Sequence, residues 1–181
     1  MLKLYMSGRH VDPLNLRPID LDIRDIAHNL SLLCRYTGAF PFHYSVAQHS
    51  ILVADMATVN GHPEEVQLAC LLHDAAEYVF GDMNYHLKKL PELAEYNRRE
   101  HATSKMIIQH YGCRPELMDT IVKQYDREAA AFEMNVRDGH ETGIYQYDPQ
   151  TIYHRFLLRF EKLSKYGPIN HSSSPRSSSP S

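Results

Sequence analysis

The chain has 181 residues, 19 basic and 22 acidic, for a formal net charge of −3, with 43% hydrophobic and 23% charged residues. Those figures describe one ordinary globular domain and argue against a nucleic-acid-coating or membrane-surface role, since either favours a basic excess. No apolar run reaches the roughly 18–20 residues of a membrane helix, and the opening MLKLYMSGRHVD lacks the apolar stretch of a secretory signal. Three widely spaced cysteines, Cys34, Cys70 and Cys113, fit neither a disulfide framework nor a zinc ribbon, so a cytoplasmic home is expected. Twelve histidines stand out, but a count is not a site.

Residues 1–20 contain Gly8, Pro13 and Pro18, which leaves room for a short extended hairpin. Six helices then follow in the pattern. The first spans about Ile23 to Tyr36, with Asp20 and Asp22 as cap candidates and Ile26, Leu30, Leu33 and Cys34 at helical spacing. The second starts at Ser45, where Ser45-Val46-Ala47-Gln48 reads as a capping box, and runs towards Val59 and Gly61. The third opens with Pro63, Glu64 and Glu65 and continues to Phe80, with Gly81 as its stop. Its stretch Leu68 to Leu72 is apolar nearly all round, which predicts a central, buried helix.

The fourth covers Pro91 to Tyr111 and ends at Gly112, and the fifth runs from Pro115 to about Val136, before Asp138-Gly139. The sixth has Asp148 as cap, Pro149 first and Gly167 as stop, with Ile152, Phe156, Leu157, Phe160 and Leu163 on its stripe. The expectation is an all-α bundle over residues 1–167. The low-complexity, Ser/Pro-rich residues 168–181 read as a disordered tail.

The third helix carries His73-Asp74 in an apolar setting, where an unpaired charge costs several kcal/mol. Spacing alone leaves two readings open: a satisfied core His–Asp pair, or a site. His49, between Val46 and Val53 on the second helix, points inward, and Asp126 sits midway along the fifth. Three helices could thus bring two imidazoles and two carboxylates to one point. Such a mixed set suits Zn²⁺, Mn²⁺, Fe²⁺ or Co²⁺ better than Ca²⁺. Glu77, one turn beyond His73, could orient or deprotonate a water.

The order His49, His73-Asp74, Asp126 resembles the signature of the HD-domain phosphohydrolases. Asp25-Ile26-Ala27, Arg35-Tyr36, Tyr44 to Ser50, and His73-Asp74-Ala75-Ala76-Glu77 before Gly81-Asp82 are similar to its 5′-deoxynucleotidase-like branch, over roughly residues 20–135. The resemblance implies an all-helical fold, and a divalent transition metal (zinc, cobalt or manganese) held by His49, His73, Asp74 and Asp126. It further implies that Glu77 acts on the attacking water, Arg35 holds phosphate, Tyr36 stands against sugar or base, and Asp82 contacts the sugar or supports the site. Tyr36 replaces the branch's tryptophan, and Met83-Asn84-Tyr85-His86 replaces its proline-rich turn.

Lys88 and Lys123, with Arg35, could cradle a triphosphate that brings its own Mg²⁺, since cations bind phosphate by charge and fork geometry. In size and in these residues the chain resembles small phage dATP triphosphohydrolases, from phages that replace adenine with 2-aminoadenine. Such an enzyme would work in a host cytoplasm on a small nucleotide, without nucleic acid or membrane, as a homo-oligomer. The leading expectation is therefore dATP hydrolysis to deoxynucleoside plus triphosphate, and the second is deoxynucleoside monophosphate hydrolysis. A cyclic-nucleotide or alarmone phosphodiesterase and a non-catalytic helical binding module are weaker alternatives. His62, His101, His110, His140, His154 and His171 read as surface or helix-end residues, while His28, His43 and His86 could line the site.

Overall fold

A computed structural model describes residues 3–165 of the chain. The expected tail over 168–181, the stop at Gly167 and His171 lie outside the described residues. The N-terminal hairpin forms as two short antiparallel strands, β1 (Lys3–Leu4) and β2 (His10–Val11). Among the described residues eight α-helices follow: α1 (Ile23–Leu32), α2 (Val46–Val59), α3 (Glu64–Leu72), α4 (Glu77–Phe80), α5 (Tyr85–Lys88), α6 (Ala94–His110), α7 (Ile121–Arg137) and α8 (Pro149–Leu163). Among the described residues, no helix is long and apolar enough to cross a membrane.

Local chemistry fixes several helix starts. Asp22 accepts the Arg24 N–H at the head of α1, and Asp148 accepts the Thr151 N–H at the head of α8. Ser45 and Gln48 close a reciprocal capping box on α2, which satisfies two otherwise orphaned donors. Helices α2 and α3 form the centre, packed on each other, with α7 and α8 against both and α1 against α2 and α8. The core residues Val53, Leu71, Leu72, Ile107, Phe156 and Leu157 are removed from solvent. Each contributes about 1.5–3 kcal/mol of burial.

Four predicted spans change. The first helix does not reach Tyr36. It ends at Leu32, because Leu33 turns extended, Cys34 bridges Ser45, and Tyr36 and Thr37 adopt left-handed backbone with φ of 56° and 55°. Left-handed backbone is rare for β-branched threonine. The continuous helix from Pro63 to Phe80 is broken between α3 and α4. There the N–H groups of Ala75, Glu77 and Tyr78 bond the carbonyls three residues back, as in a 3₁₀ turn. The tightening falls on His73–Ala76. Finally, the fourth and fifth helices each begin as a separate 3₁₀ turn, Pro91–Leu93 and Pro115–Asp119, and α5 is an additional short helix capped by Asn84.

Candidate metal centre

Helix α2 presents His49 one turn past its cap, the end of α3 presents His73 and Asp74, and α7 presents Asp126. His49 Nε2 lies 3.0 Å from Asp126 Oδ1, 3.3 Å from His73 Nε2 and 3.7 Å from Asp74 Oδ2. His73 Nε2 lies 3.2 Å from Asp74 Oδ2 and 3.6 Å from Asp126 Oδ1. Donor atoms bound to one cation at about 2.1 Å sit roughly 3–3.5 Å apart, so the spacing suits ligands of a single ion. His49, His73 and Asp74 form a group able to hold one, and Asp126, expected as the fourth ligand, lies beside both imidazoles.

The outer hydrogen bonds of the two rings set their tautomers. His73 Nδ1 is 2.7 Å from the carbonyl of Cys70, which can only accept, so Nδ1 carries the proton and Nε2 is left as a lone pair. His49 Nδ1 lies 2.6 Å from Glu133 Oε1. Hydrogen bonds and charge from His49, with Arg35 beside it, overcome the cost of burial and hold the Glu133 carboxyl at about 2. That carboxylate is an acceptor, so His49 also donates from Nδ1. Two Nε2 lone pairs therefore face each other beside two carboxylates. Such an acceptor-only nest is balanced by a cation, and the residues fit a divalent metal. Without an ion, the same nest draws a proton onto the His73 imidazole instead. Burial disfavours a charged His73, yet Asp74 and Asp126 raise its pKa. Burial also opposes ionisation of Asp74 and Asp126, but the imidazoles hold both well below the carboxylate range.

Next to these ligands is a cavity of about 200 Å³, lined in part by Glu77, Lys88, Glu100, His101, Ser104 and Lys123. Glu77 is only 5% exposed, and its Oε2 has no hydrogen-bond partner among the described residues. Burial, then the charges of Asp74 and Asp82, push its pKa well up. Lys88 Nζ lies 2.9 Å from Glu100 and 3.8 Å from Glu77 Oε1. The expected phosphate-binding lysine is thus already ion-paired. Lys123 lines the same cavity. Its outer rim holds Asp119, 3.2 Å from His101 and 2.6 Å from Lys105. His101, expected on a polar face, is half exposed and stands at this rim.

Arg35 is buried between Asp74 Oδ2 (3.4 Å) and Glu133 Oε2 (3.3 Å). Tyr36 donates its backbone N–H to Asp82 (3.0 Å) and its hydroxyl to Glu133. Asp82 therefore ties down the left-handed turn beside the site, while burial pushes its own pKa up. Of the three histidines expected near the site, His28 packs edge-on against Tyr153, His86 lies on α5 against Tyr85, and His43 has a buried Nδ1.

Sequence reasoning missed Glu133 and Glu100. Glu133 is 0% exposed and gathers Arg35, Tyr36, Tyr44 and His49. A signal was present. The buried residues of α7 are Val122, Tyr125, Ala129 and Glu133, so a glutamate stands on the buried stripe. Glu100 has no such signal, because α6 is largely polar and its buried residues are Ser104, Ile107 and Ile108.

A family model described as the HD domain matches residues 45–141, more than half of the chain. An uncharacterised protein of Rhodobacter capsulatus is 49% identical over 82 residues, covering 43% of this chain and 42% of its own length. The uncharacterised protein YfdR of Escherichia coli is 32% identical over 174 residues, covering 88% of this chain and 93% of its own.

Proposed function

The chain belongs to the HD-domain family of metal-dependent phosphohydrolases, and on that premise we propose that it hydrolyses purine deoxynucleotides. The leading substrate is dATP, giving deoxyadenosine and triphosphate, as in the phage enzymes of the 5′-deoxynucleotidase-like branch. One observation carries the reading. Four metal-type ligands converge beside a buried glutamate, with one free oxygen, at the wall of a cavity that also holds lysines.

In the proposed reaction, water forms a bond to the α-phosphorus, the bond to the 5′-oxygen breaks, and one proton passes from water to that oxygen. A bound divalent ion would supply Lewis acidity towards the water and the phosphate. Glu77 moves the proton. Burial and the charges of Asp74 and Asp82 raise its pKa, which makes the carboxylate a stronger base towards the water. Arg35 offers its guanidinium to the α-phosphate, and Lys123 faces the more distal phosphates. Asp82 holds the turn that carries Tyr36, against which sugar or base would rest.

A second reading, hydrolysis of deoxynucleoside monophosphates, is favoured by one detail. Lys88 is neutralised by Glu100 and Glu77, which leaves fewer cations for a long phosphate chain. The experiment is a panel of deoxy- and ribonucleoside mono- and triphosphates with Zn²⁺, Co²⁺, Mn²⁺ or Mg²⁺, with products identified. Triphosphate and deoxyadenosine as first products are expected. Pyrophosphate or orthophosphate as the first product from dATP overturns the leading reading, and turnover of monophosphates alone establishes the second.

A further inference from the structure

We propose that Glu133 is a positioning residue serving both halves of the site at once. It orients His49 so that Nε2 faces the metal, and it orients Arg35 so that the guanidinium faces the substrate phosphate. The inference rests on the metal-dependent reading above, not on the identity of the nucleotide.

The two carboxylate oxygens divide the work. Oε1 accepts from His49 Nδ1 and from the Tyr44 hydroxyl, both at 2.6 Å. Oε2 accepts from Arg35 Nη2 and from the Tyr36 hydroxyl. One oxygen thus belongs to the metal half and the other to the phosphate half. These contacts are direct and the side chain is fully buried, so movement at one oxygen is transmitted to the other. A carboxylate behind a metal-binding imidazole fixes ring orientation and tautomer, and its loss typically costs about 10–100-fold in metal affinity.

Removing the charge of Glu133 would strike the metal a second time. Arg35 has two carboxylate neighbours, Glu133 and Asp74. Without Glu133 its positive charge is left beside Asp74 Oδ2, the oxygen facing both ligand imidazoles. The guanidinium then competes with the metal for a ligand and is held away from phosphate. The same substitution should therefore weaken metal binding and raise KM together. An isolated structural carboxylate would change neither in the folded protein.

The test is Glu133→Gln, which keeps shape and removes charge. Zn²⁺ and Co²⁺ affinities of the full chain, measured against a competing chelator without nucleotide, are expected to fall about 10–100-fold. KM for the accepted nucleotide should rise alongside. A folded variant, judged by helical circular dichroism, with unchanged metal affinity overturns the inference. If the variant does not fold, nitrogen NMR of the zinc-loaded wild-type chain decides. A His49 ring protonated at Nδ1 and ligating through Nε2 supports the inference, and the opposite tautomer overturns it. A wild-type chain that binds no metal would instead sink the metal-dependent reading, so the two failures are distinguishable.

Discussion

Glu133 and Glu77 are two buried glutamates beside the same ligands, at 0% and 5% exposure, yet their environments push them in opposite directions. Glu133 receives four donors. Glu77 has a lysine at 3.8 Å and one oxygen with no hydrogen-bond partner among the described residues. Burial alone raises a carboxyl pKa, so the number and charge of the donors decide the outcome. The carboxylate that receives four donors is a fixed anchor. The one short of donors, Glu77, is the proposed proton carrier, and its burial costs the fold stability. Stability and chemistry are thereby separated between two residues of the same type.

The largest effect should come from breaking the centre that lies between them. Asp74→Ala removes a metal ligand and a partner of Arg35, and turnover is expected to fall on the order of 10³-fold or more. Metal content measured on the purified variant should fall with it. A variant with full metal content would show that the His-Asp set is not the binding site.

Glu77→Gln separates the two glutamates most directly. Metal should stay bound while kcat falls about 10²–10⁴-fold. The metal-free variant should also be more stable than wild type, by about 1 kcal/mol. The folded pKa of Glu77 is raised, so the unfolded chain ionises first and the wild type loses stability as pH rises above the usual 4.5. The gain should be visible by urea denaturation at pH 7 and absent at pH 4.

Glu133 should show the reverse sign. Its folded pKa of about 2 lies below the ordinary 4.5, so its contribution is present above pH 4.5 and lost as pH falls towards 2. The amount is on the order of 3 kcal/mol. The metal-free Glu133→Gln chain should lack that part of the acid sensitivity, seen as a flatter dependence of the urea midpoint on pH. A slope equal to wild type would remove the contrast between the two glutamates. The smallest effect concerns the helix that presents His49: Ser45→Ala, which opens the capping box of α2, should cost about 1 kcal/mol by thermal denaturation.

Much of this was legible in the sequence, for reasons that can be named. Ser45 with Gln48, and Asp148 with Pro149, announce helix starts because capping is a local event. His49, His73 and Asp74 stand out by their apolar surroundings, Asp126 by its place midway along the fifth helix, and all four by resemblance to a family signature. The break after Leu72 was not legible, because apolar periodicity records which face is buried and not whether a turn closes over three residues or four. The end of α1 was missed for a similar reason: Leu33 and Cys34 keep helical spacing while the backbone has already turned to meet Ser45. Glu133 escaped because its partners come from Arg35, Tyr36, Tyr44 and His49, about a hundred residues earlier or slightly less. Its place on the buried stripe of α7 marks it as buried, but not which distant residues it meets.

The tightened turn at His73–Ala76 also works as a ruler. It sets the distance in chain length between the two metal-facing residues and the proton carrier. One residue added between Asp74 and Glu77 would rotate Glu77 by about 120° about the axis of this 3₁₀ turn. The metal ligands would stay in place while the carboxyl swung out of the cavity. A chain so altered would keep its ion and its fold and lose its reaction, so the length of this turn is under tighter constraint than its composition.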